Sequence, residues 1–294
     1  MVRKDHIDST GATALIVFSL LLGLNQALVK LVNAGFSPVF QAGFRSVCAF
    51  IVVLIAALIF RKRLSITDGT LPAGIVSGLL FSGEFYLLFT ALEYTTVSRV
   101  SMLFYTQPFW VALGAHFIIP GEQLNRYKIM GLGLAIIGIV ILLAKPETQV
   151  SSRAFIGDLM CIAAAILWAA IAFLPRTTAL AKSSPEMLLL YQLAISGIIL
   201  TAISPLFGDM VRDLTPAIIA IFSFQVLVVV SFGFLLWFWA LSVYPVSDMA
   251  SFALLAPVFG VFFGWLIFDD EFTMVFTTSL ALICSGIVLI NKKS

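Results

Sequence analysis

Two charges of this chain lie deep inside long apolar runs: Arg45 in the run 38–60 and Glu84 in the run 71–91. Each lies about eight residues from the same end of its run, a depth of roughly 12 Å, so the two could pair. An ionisable group in hydrocarbon is costly and normally faces a partner or a wet cavity. Two roles fit. One is a proton or substrate relay with Glu84 as the titrating group; the other is a structural ion pair joining adjacent helices.

The other polar candidates are amides, hydroxyls and aromatics. Asn25 and Gln26 sit mid-run in 13–32, about 100° apart on a helix, so one at most faces a cavity squarely. Of the two, Asn25 is the cavity candidate. In the run 99–119, Ser98, Ser101, Tyr105, Pro108 and Ala112 recur at helical spacing on one face. Gln107 falls on the opposite face. Pro108 removes a helix hydrogen bond and clashes with the carbonyl of Phe104, so a kink is expected there, with Tyr105 rather than Gln107 against a ligand. Tyr86, Trp110 and Trp168 lie deep enough to line a cavity. Trp237 and Trp239 lie within about a turn of a run end and could equally be interface anchors. An aromatic, apolar cavity with a few amides suits amphipathic small molecules and suits phosphates poorly.

Enzymatic readings find little support. The chain has two histidines, His6 and His116, and no HExxH. FDDEF lacks the second acidic cluster of a two-aspartate metal motif, and no Walker motif occurs. No catalytic residue, metal or cofactor is expected. A channel or scramblase would need a continuous polar stripe, and the polar residues here are scattered.

The elements that must hold these residues follow from composition. Of 294 residues, 61% are hydrophobic and 11% charged, with mean hydropathy +1.10. So few charges cannot cover a water-facing surface, which points to an integral membrane protein. Cys48, Cys161 and Cys284 all fall in apolar runs and read as buried small residues. Ten runs are long enough to span: about 13–32, 38–60, 71–91, 99–119, 127–144, 155–174, 185–206, 216–241, 247–268 and 273–291. The first follows a short polar tail and reads as a retained helix rather than a signal peptide.

Ten spans place both termini on one side. That side carries Arg3, Lys4, Arg61, Lys62, Arg63, Arg126, Lys128, Arg176, Lys182, Lys292 and Lys293. The other carries Lys145, Arg153 and Arg212, plus Lys30 and Arg99 at span ends. Eleven against five is a positive-inside bias. Both termini are therefore expected in the cytoplasm, with the loop Asp269-Asp270-Glu271 outside. Arg99, Arg153, Asp158 and Asp248 read as interface groups at span ends.

The sequence also repeats. At an offset of 149, Ser82 meets Ser231, Ala91-Leu92 meets Ala240-Leu241, Val97-Ser98 meets Val246-Ser247, Pro108 meets Pro257 and Glu122 meets Glu271. Small changes of offset also pair Ser37-Pro38 with Ser184-Pro185. The unit is five helices, residues 1–150 and 151–294. Five is odd, so the second copy is inverted in the membrane. Inverted repeats give two near-equivalent packings and characterise alternating-access carriers. Pro108 and Pro257 then read as paired kinks. The positions matching Arg45 and Glu84 are Gln192 and Gly233.

The A-L-x4-V-S-x9-P-x13-E pattern, from Ala91 to Glu122 and again from Ala240 to Glu271, resembles the drug/metabolite transporter superfamily, EamA type. So does the glycine-rich last helix of each half. Within that group the chain looks most like the YddG-type exporters of aromatic amino acids. The resemblance implies an all-α protein of ten transmembrane helices, as two inverted five-helix repeats around a central cavity lined mainly by spans 3, 4, 8 and 9. It implies a secondary transporter of the bacterial inner membrane that exports small amphipathic metabolites, amino acids among them. A multidrug or other metabolite carrier is the alternative. The expected partners are a small-molecule substrate and membrane lipid, with no nucleic acid. A monomer is expected, with a homodimer through the small residues Gly131, Gly133, Ala135 and Gly138 as the alternative.

Overall fold

The computed structural model describes residues 7–119, 123–144, 153–244, 252 and 255–290. The expectations at Arg3, Lys4, His6, Glu122, Lys145, Val246, Ser247, Asp248, Lys292 and Lys293 lie outside the described residues. Among the described residues the fold is all-helical. The helices are α1 (Ser9–Val32), α2 (Pro38–Ile59), α3 (Leu71–Tyr94), α4 (Val97–Phe104), α5 (Gln107–Ile118), α6 (Arg126–Ala144), α7 (Ala154–Thr177), α8 (Pro185–Ile203), α9 (Pro216–Phe224), α10 (Gly233–Val243), α11 (Leu255–Phe268) and α12 (Met274–Ile290). A π-helical segment, Gln225–Phe232, joins α9 to α10.

Among the described residues, six helical stretches are long and apolar enough to cross a bilayer: Ser9–Val32, Pro38–Ile59, Leu71–Tyr94, Arg126–Ala144, Ala154–Thr177 and Pro185–Phe207. Their outward faces are apolar, with Ile51, Ile55, Ile136, Val140, Ile156 and Ile198 all exposed. In water such a surface would aggregate, whereas in lipid it is the natural exterior. The protein is a polytopic membrane protein.

The helix starts follow from local chemistry. Asp8 caps α1 by accepting from the Gly11 N–H at 2.9 Å. Ser184 and Thr215 cap α8 and α9 in the same way, each followed by a proline at a position that needs no N–H. A single antiparallel bridge, Phe36 to Val211, ties the α1–α2 turn to the loop before α9.

Two features differ from expectation. The run 99–119 does not bend at Pro108; it stops after Phe104 and restarts at Gln107, with Pro108 in the first turn of α5. A proline has no N–H to give and clashes with the carbonyl four residues back, and in the first turn of a restarted helix neither matters. Pro257 lies in α11, whose described part begins at Leu255. The second feature is the small-residue stripe of α6. A Cβ on Gly131 would lie 2.6 Å from the Gly286 carbonyl oxygen, and one on Gly138 2.9 Å from Ile283. The stripe is used inside the bundle against α12, where two backbones touch.

Candidate functional site

One buried polar cluster is built by α1, α2 and α3. Arg45 is 3% exposed and Glu84 is 2% exposed. Arg45 Nη1 donates to Asn25 Oδ1 at 3.0 Å. Its guanidinium lies over the Phe85 and Phe89 rings, 4.8 and 4.5 Å from their centroids. Glu84 precedes Phe85 on the same turn, yet the two charges make no direct ion pair. Arg45 Nε and Glu84 Oε2 are both buried without a partner.

The adjacent amides of α1 separate as their helical spacing requires. Asn25 turns to α2 and Arg45, whereas Gln26, 2% exposed, turns towards α4. There the Tyr105 hydroxyl donates to the Leu22 carbonyl at 3.0 Å, with the Gln26 side chain beside it. Tyr105 closes α4 and is half-buried. Thr106 spans the break: its hydroxyl donates to the Leu103 carbonyl at 2.6 Å and accepts from Trp110 Nε1 at 3.2 Å. Trp110 and Tyr105 therefore flank the discontinuity. Ser101 is fully buried, and its hydroxyl lies 2.2 Å from where a Cβ on Gly260 would stand. It belongs to the α4–α11 contact. Gln107 is 8% exposed at the start of α5.

The remaining aromatic candidates are dispersed. Trp168 is 39% exposed. Tyr86 packs on Phe207, centroids 5.3 Å apart. Trp237 stacks on Phe18 at 5.0 Å, and Trp239 meets Tyr244 edge-on at 5.8 Å. These last two belong to a cluster with Leu15, Ala240 and Val243, at the end of the bundle where Tyr244 donates to Asp8 Oδ1 at 2.6 Å.

At the opposite end of α1, Lys30 Nζ donates to the Thr95 carbonyl at 3.0 Å. Thr95 Oγ1 donates to Asp158 Oδ1 at 2.8 Å. Arg99 grips the same carboxylate through Nε, 3.1 Å from each oxygen. Both Arg99 and Asp158 are buried, at 2% and 1% exposure, which corrects their reading as interface groups. Each sits near a span end in sequence, but helix packing covers that end. Asp270, in the loop expected outside, is 8% exposed and accepts from the Ser98 N–H at 2.8 Å, capping α4. The left-handed backbone of Asp269, φ 54°, makes the turn. A cavity of about 630 Å³ opens here, lined by Lys30, Asn33, Glu93, Tyr94, Arg153 and Arg212 among others.

Sequence reasoning missed Gln41 and Gln225, both fully buried with amide atoms lacking partners. An amide inside an apolar run was the available signal. It also missed the π segment, in which Ser231 Oγ donates back to the Val226 carbonyl at 2.8 Å. Such segments often mark functional positions.

A helical membrane bundle that buries charges, amides and a broken helix between its spans is built as a membrane transporter is. The EamA-like transporter family model matches residues 9–144 and again 155–292, and the chain belongs to that family. It is 26% identical to the uncharacterized transporter YoaV of Bacillus subtilis, over 94% of each chain. It is 27% identical to the uncharacterized transporter YvbV of the same organism, over 98% of this chain and 94% of that one. A probable amino-acid metabolite efflux pump of Salmonella typhimurium is also 27% identical, over 98% and 95%. A solved crystal structure shares the fold with a TM-score of 0.68 over 95% of both chains, at 19% identity.

Proposed function

We propose that the chain is a secondary transporter that exports small amphipathic metabolites, above all amino acids including aromatic ones, by alternating access. The observation that carries this is a matched pair of contacts at opposite ends of α1. Thr95 ends α3, with its N–H on the Ala91 carbonyl at 2.9 Å, and its hydroxyl reaches Asp158. Tyr244 ends α10, with its N–H on the Ala240 carbonyl at 2.8 Å, and its hydroxyl reaches Asp8. Thr95 and Tyr244 are 149 positions apart, and so are Ala91 and Ala240; Asp8 and Asp158 are 150 apart. The same cap and bond thus recur in both halves, one at each end.

That arrangement supports two inverted five-helix repeats, residues 1–150 and 151–294, with ten crossings. The double family match supports the duplication. The packing pairs fit a pseudo-two-fold, since α2 meets α8, α4 meets α11 and α6 meets α12. Two equivalent latches let one end open while the other closes. The lysine and arginine bias supports both termini in the cytoplasm. Asn25, Tyr105 and Trp110 are the proposed cavity residues, and the bundle acts as a monomer. The amino-acid assignment draws on the aromatic, amide-bearing interior and on the similarity to the probable amino-acid metabolite efflux pump of Salmonella typhimurium.

The test is accessibility. In a background lacking Cys48, Cys161 and Cys284, a cysteine near Asp8 and another near Thr95 are labelled with a membrane-impermeant maleimide. Tyr244→Phe should raise labelling at the Asp8 end and lower it at the Thr95 end. Parallel changes at both ends would contradict alternating access.

A further inference from the structure

We infer that Arg45 and Glu84 are the two poles of a zwitterion-binding site: Arg45 takes the substrate's carboxylate and Glu84 its ammonium group. This rests on the amino-acid reading above and narrows it to substrates carrying both charges. The first observation is the geometry of Arg45. Nη1 is occupied by Asn25, and the guanidinium face lies on Phe85 and Phe89, so the group is fixed. Nε, on the edge that grips a carboxylate with two parallel hydrogen bonds, is buried without a partner.

The second observation is Glu84. It is 2% exposed, and Oε2 has no hydrogen-bond partner. A carboxylate and a guanidinium enclosed together normally form a direct bidentate pair, since an unmade bond leaves each charge desolvated and uncompensated. Here Arg45 is held instead by an amide and two rings, and its free edge stays unbonded. A ligand with one negative and one positive end supplies both missing partners and adds no net charge to the hydrocarbon interior. The Phe81, Phe85 and Phe89 rings lie along the same helix face, with centroids 4.0 and 5.3 Å apart, and make the surroundings of the two charges apolar. A structural ion pair would use the same residues but would close the gap.

The test uses the purified full chain and three probes that share one ring: L-phenylalanine, 2-phenylethylamine, which lacks the carboxylate, and 3-phenylpropanoate, which lacks the ammonium. Binding is followed by titration calorimetry. L-phenylalanine should bind at least about tenfold more tightly than either analogue. Arg45→Gln should bring L-phenylalanine down to the level of 2-phenylethylamine, and Glu84→Gln should bring it down to that of 3-phenylpropanoate. The wild-type comparison needs no variant, so a misfolded Arg45→Gln cannot rescue the idea. Equal binding of all three probes, or a folded Arg45→Gln that binds L-phenylalanine normally, overturns the zwitterion site and leaves the amino-acid reading standing. If no amino acid binds while 2-phenylethylamine does, both fall.

Discussion

Arg99 and Asp158 hold α4 to α7 through Nε, 3.1 Å from both carboxylate oxygens, while Arg99 Nη2 also reaches the Leu142 carbonyl on α6 at 3.0 Å. Three helices therefore meet on one guanidinium. Arg99→Met leaves Asp158 buried and uncompensated, at a cost of about 3–5 kcal/mol. The double variant Arg99→Met, Asp158→Leu should recover most of that loss in thermal unfolding in detergent. A double variant no more stable than Arg99→Met would show that the pair acts through something other than its charges.

The α6–α12 contact gives a paired prediction on glycine. Gly131 has the Gly286 carbonyl oxygen 2.6 Å from its would-be Cβ, and a backbone atom cannot step aside. Gly131→Ala should destabilise by about 1–3 kcal/mol. Gly133, two residues further on, has nothing within 4 Å. There the same change should be neutral or stabilise by about 0.5–1 kcal/mol, because alanine loses less backbone freedom in a helix. Equal effects at the two sites would contradict the packing.

Pro108 stands just past the break between α4 and α5. Pro108→Ala restores an N–H and relieves the clash that separates the two helices. Exchange between the two open forms should slow while substrate affinity stays unchanged, read by stopped-flow fluorescence against equilibrium binding. A pure affinity defect would sink a conformational role for the break.

Asp68 gives a pH-dependent prediction outside the membrane. It accepts from the Thr70 hydroxyl at 2.6 Å and the Thr70 N–H at 3.2 Å, and the hydroxyl bond holds its carboxyl below the usual range. Because the folded value is depressed, the stabilisation is present above the unfolded value and fades as pH falls through the folded one. Asp68 is solvent-exposed, so the effect is small. Asp68→Ala should lower Tm slightly at pH 7, and the difference should vanish in strong acid. A difference that grows with acid would contradict the assignment.

Much of the fold was legible because one signal dominates it: run lengths. α2, α3 and α6 fall within three residues of the expected bounds. Pro108 marked the irregularity in its run, though only packing could decide between bend and break. The buried ends were harder. Arg99 and Asp158 each stand near the end of an apolar run, which in isolation describes an interfacial residue. Their partnership spans 59 positions and exists only once α4 and α7 touch. Asn25 and Gln26 divided between neighbouring helices as their angular offset demands, but which faced which was not readable from one chain. Gln225 carried a signal, an amide between apolar residues, without indicating the π turn that follows it.

The most direct measurement of the transport claim is counterflow into liposomes holding only this chain, preloaded with unlabelled amino acid. Labelled phenylalanine, tryptophan or threonine should accumulate transiently above its equilibrium level, and Tyr105→Ala should reduce the rate. If all three labelled amino acids fail to exchange in liposomes where the chain is folded and inserted, the amino-acid carrier reading is wrong.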